Sequence, residues 1–228
     1  MEAIILAGGL GTRLKSVVKD LPKPMAPIKN LPFLHYLFEW LSLYPVSKVV
    51  MSVGYKANLI EQYFKNRYKN IEVDYAYEDR PLGTGGGIKN ALTKTLNNDV
   101  LVVNGDTFFP IDINSFEDFH ISNNADISIA LKNMTNFDRY GSIEIENHTI
   151  LNFNEKKYLS KGLINGGIYF LNKKKLNIPS LPDVFSFEHE ILEKKVRDGS
   201  AEIKGKIFYE TFIDIGVPED YQKANEIL

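Results

Sequence analysis

Residues 4–14 read Ile4-Ile5-Leu6-Ala7-Gly8-Gly9-Leu10-Gly11-Thr12-Arg13-Leu14. A short apolar run stops abruptly at glycine, the pattern of a buried strand that ends in a turn. Gly8, Gly9 and Gly11 let the backbone take positive φ and come close to a ligand. Successive N–H groups in such a turn converge on one concavity, which suits a phosphate chain. Thr12 adds a hydroxyl, and Arg13 adds a permanently charged fork of donors. Leu6 to Arg13 is therefore read as the cradle of a nucleoside triphosphate. An ordinary strand-to-helix turn is the competing reading, because a glycine-rich loop alone is weak evidence.

Glu2 to Ala7 supplies the first strand. The connection from 15 to 31 holds Pro22, Pro24 and Pro27, which forbid a regular helix and stiffen the backbone. Lys23 stands between two of them, so its direction is well fixed; a solvated loop lysine is the alternative. Beyond it, the periodicity predicts a helix over 33–43, a strand over 48–53, a helix over 56–68, a strand over 72–77, a helix over 85–96 and a buried strand over 100–103. That alternation predicts an α/β fold with a Rossmann-like, mostly parallel central sheet, helices on both faces and right-handed crossovers. Ligands then lie beyond the carboxyl ends of the strands, here Gly8-Gly9, Gly54-Tyr55, Glu78 and Asn104-Gly105-Asp106.

After about residue 110 the pattern becomes richer in β-structure. A helix is expected at 114–123, strands at 127–132, 142–146, 149–154 and 163–171, a helix at 187–197, strands at 202–208 and 212–215, and a last helix from Pro218. Asn147-His148 suits a hairpin turn. The later half is expected to extend the same core, so 1–228 is read as a single domain.

The totals narrow the function. With 228 residues, 44% hydrophobic and 25% charged, the chain has ordinary globular values. A net charge of −2 does not favour nucleic acid as a partner. The absence of cysteine excludes disulfides, thiolate zinc sites and a cysteine nucleophile. No apolar run reaches membrane-spanning length, and the acidic start Met1-Glu2 is unlike a signal peptide. A cytoplasmic protein without a membrane partner is expected.

The residues able to do chemistry lie at strand ends. Asp106 closes a fully apolar strand, where a carboxylate beside phosphates can hold magnesium; an Asx turn or helix cap explains it equally well. Asp214, flanked by apolar Phe212-Ile213 and Ile215, is awkward unless paired or metal-bound, with a cap for the helix at Pro218 as the alternative. Leu82-Gly83-Thr84-Gly85-Gly86-Gly87 opens a helix, and its small residues would let a flat base or sugar approach the backbone. Glu78 could accept from a base edge; guanine presents two N–H donor groups there, uracil and thymine one. Glu78 could also be a solvated charge. Glu155, Lys156 and Asn165-Gly166-Gly167 suit sugar hydroxyls and a sugar phosphate, although each alone is more often surface decoration, and Arg139-Tyr140-Gly141 could be a simple turn. His35 is expected on a core-packing helix, and His120, His148 and His189 are expected to be exposed. No histidine is assigned chemistry.

Taken in order, these motifs resemble the sugar-1-phosphate nucleotidyltransferases. The resemblance is carried by Gly8-Gly9-Leu10-Gly11-Thr12-Arg13-Leu14, by Pro22-Lys23-Pro24-Met25 ten residues beyond Arg13, and by Leu82-Gly83-Thr84-Gly85-Gly86, Asn104-Gly105-Asp106, Tyr140-Gly141, Glu155-Lys156, Asn165-Gly166-Gly167 and Asp214. Many members carry Pro-Leu-Thr soon after the arginine and leucine, where this chain has Lys15-Ser16-Val17-Val18-Lys19-Asp20. That form, followed by Leu21-Pro22-Lys23-Pro24-Met25, looks most like the D-glycero-D-manno-heptose 1-phosphate guanylyltransferases. The left-handed β-helix tail found on many relatives is not expected here.

The resemblance implies transfer of a nucleotide from GTP to a sugar 1-phosphate, with Mg2+ as cofactor. It implies that Arg13 binds the β- and γ-phosphates, that Lys23 bridges the α-phosphate and the attacking phosphate, and that Asp106 and Asp214 hold magnesium. Leu6, Ala7, Gly8, Gly9, Gly11, Thr12, Glu78, Gly83 and Thr84 would frame the nucleotide. Asn104, Gly141, Glu155, Asn165 and Gly167 would line the sugar site, and Lys156 would hold the sugar phosphate. The nucleotide part would occupy about 1–110 and the sugar part about 111–228. The same chemistry with mannose 1-phosphate, or with UTP or dTTP, is the nearest rival; oligomeric state is left open. A dinucleotide-dependent oxidoreductase is disfavoured by Leu14 at the third glycine position and by Ile28-Lys29-Asn30 where an acid is needed. A P-loop ATPase lacks its Gly-Lys-Ser/Thr. A glycosyltransferase or a silent nucleotide-sugar sensor remains as an outside reading.

Overall fold

The computed structural model describes residues 1–9, 14, 18 and 20–228. Gly11, Thr12 and Arg13, expected in the phosphate cradle, lie outside the described residues. In chain order the elements begin with β1 (Glu2–Ala7), a 3-10 turn over Lys23–Met25, β2 (Pro27–Ile28), β3 (Leu31–Pro32), α1 (Phe33–Leu41), β4 (Lys48–Val53), α2 (Ala57–Phe64), β5 (Arg67–Tyr68), β6 (Ile71–Tyr77), α3 (Gly83–Leu92) and β7 (Asp99–Asn104). Then come β8 (Thr107–Phe108), α4 (Ile113–Ser122), β9 (Ile127–Phe137), β10 (Ser142–Glu146), β11 (Thr149–Phe153), β12 (Leu159–Asn172), α5 (Lys173–Leu176), α6 (Lys194–Asp198), β13 (Ile203–Phe208), β14 (Ile213–Asp214) and α7 (Pro218–Ile227).

The main sheet runs β10-β11-β13-β9-β12-β7-β1-β4-β6-β5, with β10 also pairing β12. β7, β1, β4 and β6 are parallel. After β1 the chain winds outward through β4 and β6, then returns to place β7 on the other side of β1. The reversal opens a crevice at the carboxyl ends of β1 and β7, where a ligand fits. Alternate residues of these strands enter two apolar layers. Ala3, Ile5, Met51, Leu101 and Val103 pack on one face with α1 and Phe116 of α4. Ile4, Val50, Val100 and Val102 pack on the other with Ile88 and Ala91 of α3. Burial on both faces explains why these strands read as continuous apolar runs.

The later half is mixed, as its sequence predicts. β12 is antiparallel to both β7 and β9, and β13 runs parallel to β9. The register of β12 shifts between Asn165 and Tyr169, where Gly167 adopts φ +71°. The hairpin at Asn147-His148 has both residues at positive φ, the geometry of a tight β-hairpin turn.

Some expectations are corrected. The second helix stops at Phe64, because Lys65 leaves helical space and Lys69, at φ 50°, turns β5 back along β6. The Phe64 ring stacks on Phe38, and Tyr68 packs on both. The 187–197 segment is π-helical over Glu188–Glu193 before α6. His120, expected at the surface, is buried: it contacts Ser128 Oγ at 2.8 Å and Asp99 Oδ1 at 3.3 Å and stacks on Phe170.

Candidate active site

Lys23 is fixed by its flanking prolines. Met25 N–H donates to Pro22 O at 2.8 Å and Ala26 N–H to Lys23 O at 3.0 Å, while Pro24 and Met25 are buried beneath. The ammonium reaches across the crevice to Asp106 Oδ2 at 2.5 Å and stands 3.5 Å from Asp214 Oδ1. Asp106 and Asp214 are far apart in sequence, yet a two-stranded ladder joins them. β8 pairs antiparallel with β14, Thr107 opposite Asp214, and Ile215 N–H donates to Asp106 O at 3.0 Å.

The electrostatics follow from that placement. Burial pushes the Asp214 carboxyl above the usual aspartate range, Asp106 pushes it further, and Lys23 opposes both. Asp214 Oδ1 accepts from Gly216 N–H at 2.8 Å, so its side chain does not cap α7. Tyr140 brings its hydroxyl to 3.4 Å from Asp214 Oδ2; burial, then Asp214, pushes its pKa up to about 12. Arg139 donates to the Tyr140 oxygen at 3.2 Å and pairs with Asp220 on α7.

A cavity of about 500 Å³ opens beside these groups. Its walls include Leu6, Gly8, Gly9, Leu14, Lys23, Pro24, Glu78, Pro81, Gly83, Thr84, Asn104, Asp106 and Gly216. Glu78 is not a free surface charge. Its Oε1 accepts from Ser52 Oγ at 2.7 Å and its Oε2 from Leu82 N–H at 3.2 Å. Gly8 makes room for it, since a Cβ there would lie 2.4 Å from Oε1. Four lone-pair sites on an ionised carboxylate leave acceptor capacity beyond these two bonds.

The glycines after Leu82 have another explanation than the one the sequence suggested. A Cβ at Gly83 would lie 2.5 Å from Phe185 O, at Gly85 2.1 Å from the Phe185 ring, and at Gly86 2.2 Å from Asp183 O. Gly83 also has φ +73°. These three glycines admit the 183–187 segment. Gly83 and Thr84 still face the cavity.

Of the residues assigned to the sugar, Asn104 lines the cavity, and its Oδ1 is buried without a partner. Gly167 lies against it, its would-be Cβ 2.8 Å from Asn104 Nδ2. Asn165 Oδ1 accepts from Gly167 N–H at 2.9 Å, and its Nδ2 donates to Tyr169 OH at 2.9 Å. Gly141 packs on Asn154 O, where a Cβ would lie at 2.5 Å. Glu155 and Lys156 follow Asn154 and are exposed. None of Gly141, Asn165, Gly167, Glu155 and Lys156 lines the cavity, and neither do Ala7, buried in the core, and Asp214, which reaches Lys23 from beside it. Sequence reasoning missed Ser52 and the 183–187 segment, and it gave Tyr140 of the Tyr140-Gly141 motif no role of its own. For Ser52, a serine inside the apolar run Met51-Ser52-Val53 was the available signal.

Three comparisons place this geometry among known proteins. The chain is 49% identical over 228 residues to the D-glycero-alpha-D-manno-heptose 1-phosphate guanylyltransferase of Aneurinibacillus thermoaerophilus, covering 100% of this chain and 98% of that protein. It is 48% identical to the protein of the same name from Campylobacter jejuni, covering 97% of each. The crystal structure of HddC from Yersinia pseudotuberculosis complexed with GMP-PN superposes with a TM-score of 0.87 at 40% identity, over 99% of this chain and 98% of that one. With the nucleotidyl transferase family model matching residues 2–228, the chain belongs to that family.

Proposed function

We propose that this chain is a D-glycero-α-D-manno-heptose 1-phosphate guanylyltransferase, which converts GTP and the heptose 1-phosphate into GDP-heptose and pyrophosphate. The carrying observation is the Lys23 ammonium held between Asp106 and Asp214 at the mouth of a cavity that has Glu78 in its wall. The full-length likeness to two heptose 1-phosphate guanylyltransferases supports the choice of sugar and base.

The donor set fits Mg2+. Two hard carboxylates are brought together by the β8–β14 ladder, and at Asp214 burial and the Asp106 charge outweigh the one ammonium. Magnesium is commonly held by one or two carboxylates and several waters. In this reading Asp106 and Asp214 hold the ion, which supplies neutralisation of phosphate charge. Lys23 donates to the α-phosphate and the incoming sugar phosphate, holding the reacting groups together. Arg13 holds the β- and γ-phosphates with the backbone of Gly8, Gly9, Gly11 and Thr12. Glu78 accepts from guanine, and Leu6, Gly83 and Thr84 frame the nucleoside, with Ala7 buried behind them. Asn104, Gly141, Glu155, Asn165 and Gly167 line the sugar, and Lys156 meets its phosphate.

An oxygen of the sugar phosphate attacks the α-phosphorus, and the bond to the β-phosphate oxygen breaks as pyrophosphate leaves. The nucleophile is already an anion, so no general base is needed; positioning and charge stabilisation suffice. Residues up to about 110 serve the nucleotide and the remainder the sugar, within one catalytic unit. No helix among the described residues is long and apolar enough to cross a membrane, and the reading places the enzyme in the cytoplasm.

The test is pyrophosphate release from GTP, UTP and dTTP with heptose, mannose and glucose 1-phosphates, with products identified by mass spectrometry. Preference for GTP and the heptose phosphate supports the assignment. Preference for another pair, or release of a nucleoside diphosphate, refutes it.

A further inference from the structure

The 181–188 segment is fastened along α3, from Leu82 just before it to Lys89. Phe185 N–H donates to Leu82 O at 3.0 Å, and Phe185 O accepts from Gly85 N–H at 3.0 Å. Lys89 donates to Leu181 O at 2.5 Å and Asp183 Oδ1 at 2.8 Å. The side-chain contact is the most specific. Thr84 Oγ1 donates to Glu188 Oε2 at 2.5 Å and accepts from Phe187 N–H at 2.9 Å. Ser186 Oγ donates to the same Glu188 oxygen at 2.9 Å.

A threonine hydroxyl has one proton, and here the carboxylate takes it. Charge-assisted O–H···O⁻ bonds of this length are about twice as strong as neutral ones. The Thr84 hydroxyl is thus committed to the protein, and this cavity-wall residue is oriented from another part of the chain. Glu188 also opens the π-helical stretch, a backbone form found often at functional sites.

We propose that Glu188 is a positioning residue for the nucleotide site: through Thr84 it sets the cavity wall formed by Gly83 and Thr84, against which GTP binds. This rests on the nucleotide-binding reading of that cavity. It adds a helix of the sugar-side half to the determinants of GTP affinity.

The test is equilibrium titration of GTP into the full chain and its variants, which needs no turnover, followed by steady-state kinetics and melting temperatures. Glu188→Gln and Thr84→Val are each expected to weaken GTP binding and raise its KM about tenfold, with the KM for sugar phosphate within twofold, because small misplacements at a binding wall are costly. Thr84→Ser, which keeps the hydroxyl, should bind GTP more tightly than Thr84→Val. The double variant Glu188→Gln/Thr84→Val should be no worse than either single change, the mark of one shared interaction. Lower melting temperatures with unchanged GTP affinity would overturn the proposal in favour of a purely structural contact. A rise confined to the sugar-phosphate KM would overturn it in favour of direct sugar binding. If wild type itself binds no GTP, it is the nucleotide reading of the cavity that fails.

Discussion

Replacing Lys23 with methionine keeps most of the aliphatic stem and removes the ammonium. Nζ lies 2.5 Å from Asp106 and 3.5 Å from Asp214, and the lysine side chain is 12% exposed. Breaking a buried ion pair from one side costs about 3–5 kcal/mol, whereas an exposed pair is worth about 0–1 kcal/mol. Asp106 is 36% exposed, which puts this site between those limits, and a cost of about 2 kcal/mol is expected. For a chain of this length that is a drop of about 4–8 °C in melting temperature.

The cost must depend on pH. Burial and Asp106 raise the Asp214 pKa, and Lys23 opposes the rise, so its removal raises that pKa further. A carboxyl whose folded pKa exceeds its unfolded value favours the fold at low pH and loses that contribution as pH rises through the folded pKa. The deficit of Lys23→Met should therefore be smallest at the acid end of the range over which the protein stays folded and should grow as pH rises, and millimolar magnesium should reduce it. Turnover should fall about a hundred-fold or more, the usual loss for one electrostatic contact to a transition state. Thermal melts in chelator and in magnesium, with a pyrophosphate-release assay, measure all of this. Near-normal turnover, or a deficit independent of pH, would refute the reasoning.

Glu78→Gln removes a charged acceptor and should raise the KM for GTP about 10–100-fold, since a hydrogen bond to a charged group is worth about 1.5–3 kcal/mol; steady-state kinetics at saturating sugar phosphate measure it, and an unchanged KM denies Glu78 the base. Gly85→Ala drives a methyl into the Phe185 ring, 2.1 Å away, and should cost about 1–3 kcal/mol, read from urea denaturation; a neutral result would show that the 183–187 segment yields freely. Burial lowers the pKa of His120, with Asp99 opposing, so the unfolded chain takes up the proton first and stability falls as pH drops below about 6.5. His120→Gln should flatten that fall between about pH 7.5 and pH 5 in denaturant titrations, and an identical pH profile would deny the group this role.

Strand and helix alternation was legible because apolar periodicity is local; the strand ends pointed to Asp106 and Asp214, and the flanking prolines to Lys23, before any coordinates did. The ion pair itself was not, since nothing near Phe108 or Ile213 announces their common ladder. Gly83, Gly85 and Gly86 were visible as small residues, but their reason lies about a hundred positions away in Asp183 and Phe185. His120 looked exposed because its amphipathic helix gives no sign of Ser128 and Asp99 on the far side. Side-chain pairing across the fold leaves no mark on either partner's local pattern.

The ladder of β8 with β14 has a consequence for biosynthesis. A chain translated only as far as residue 210 has every described strand but β14, its ammonium and Asp106, but no Asp214, and Thr107 waits without its partner rung. The second carboxylate arrives only when β14 docks. Production of the last residues is thus an assembly step of the reactive centre, and a prematurely terminated polypeptide would retain half of its cation seat.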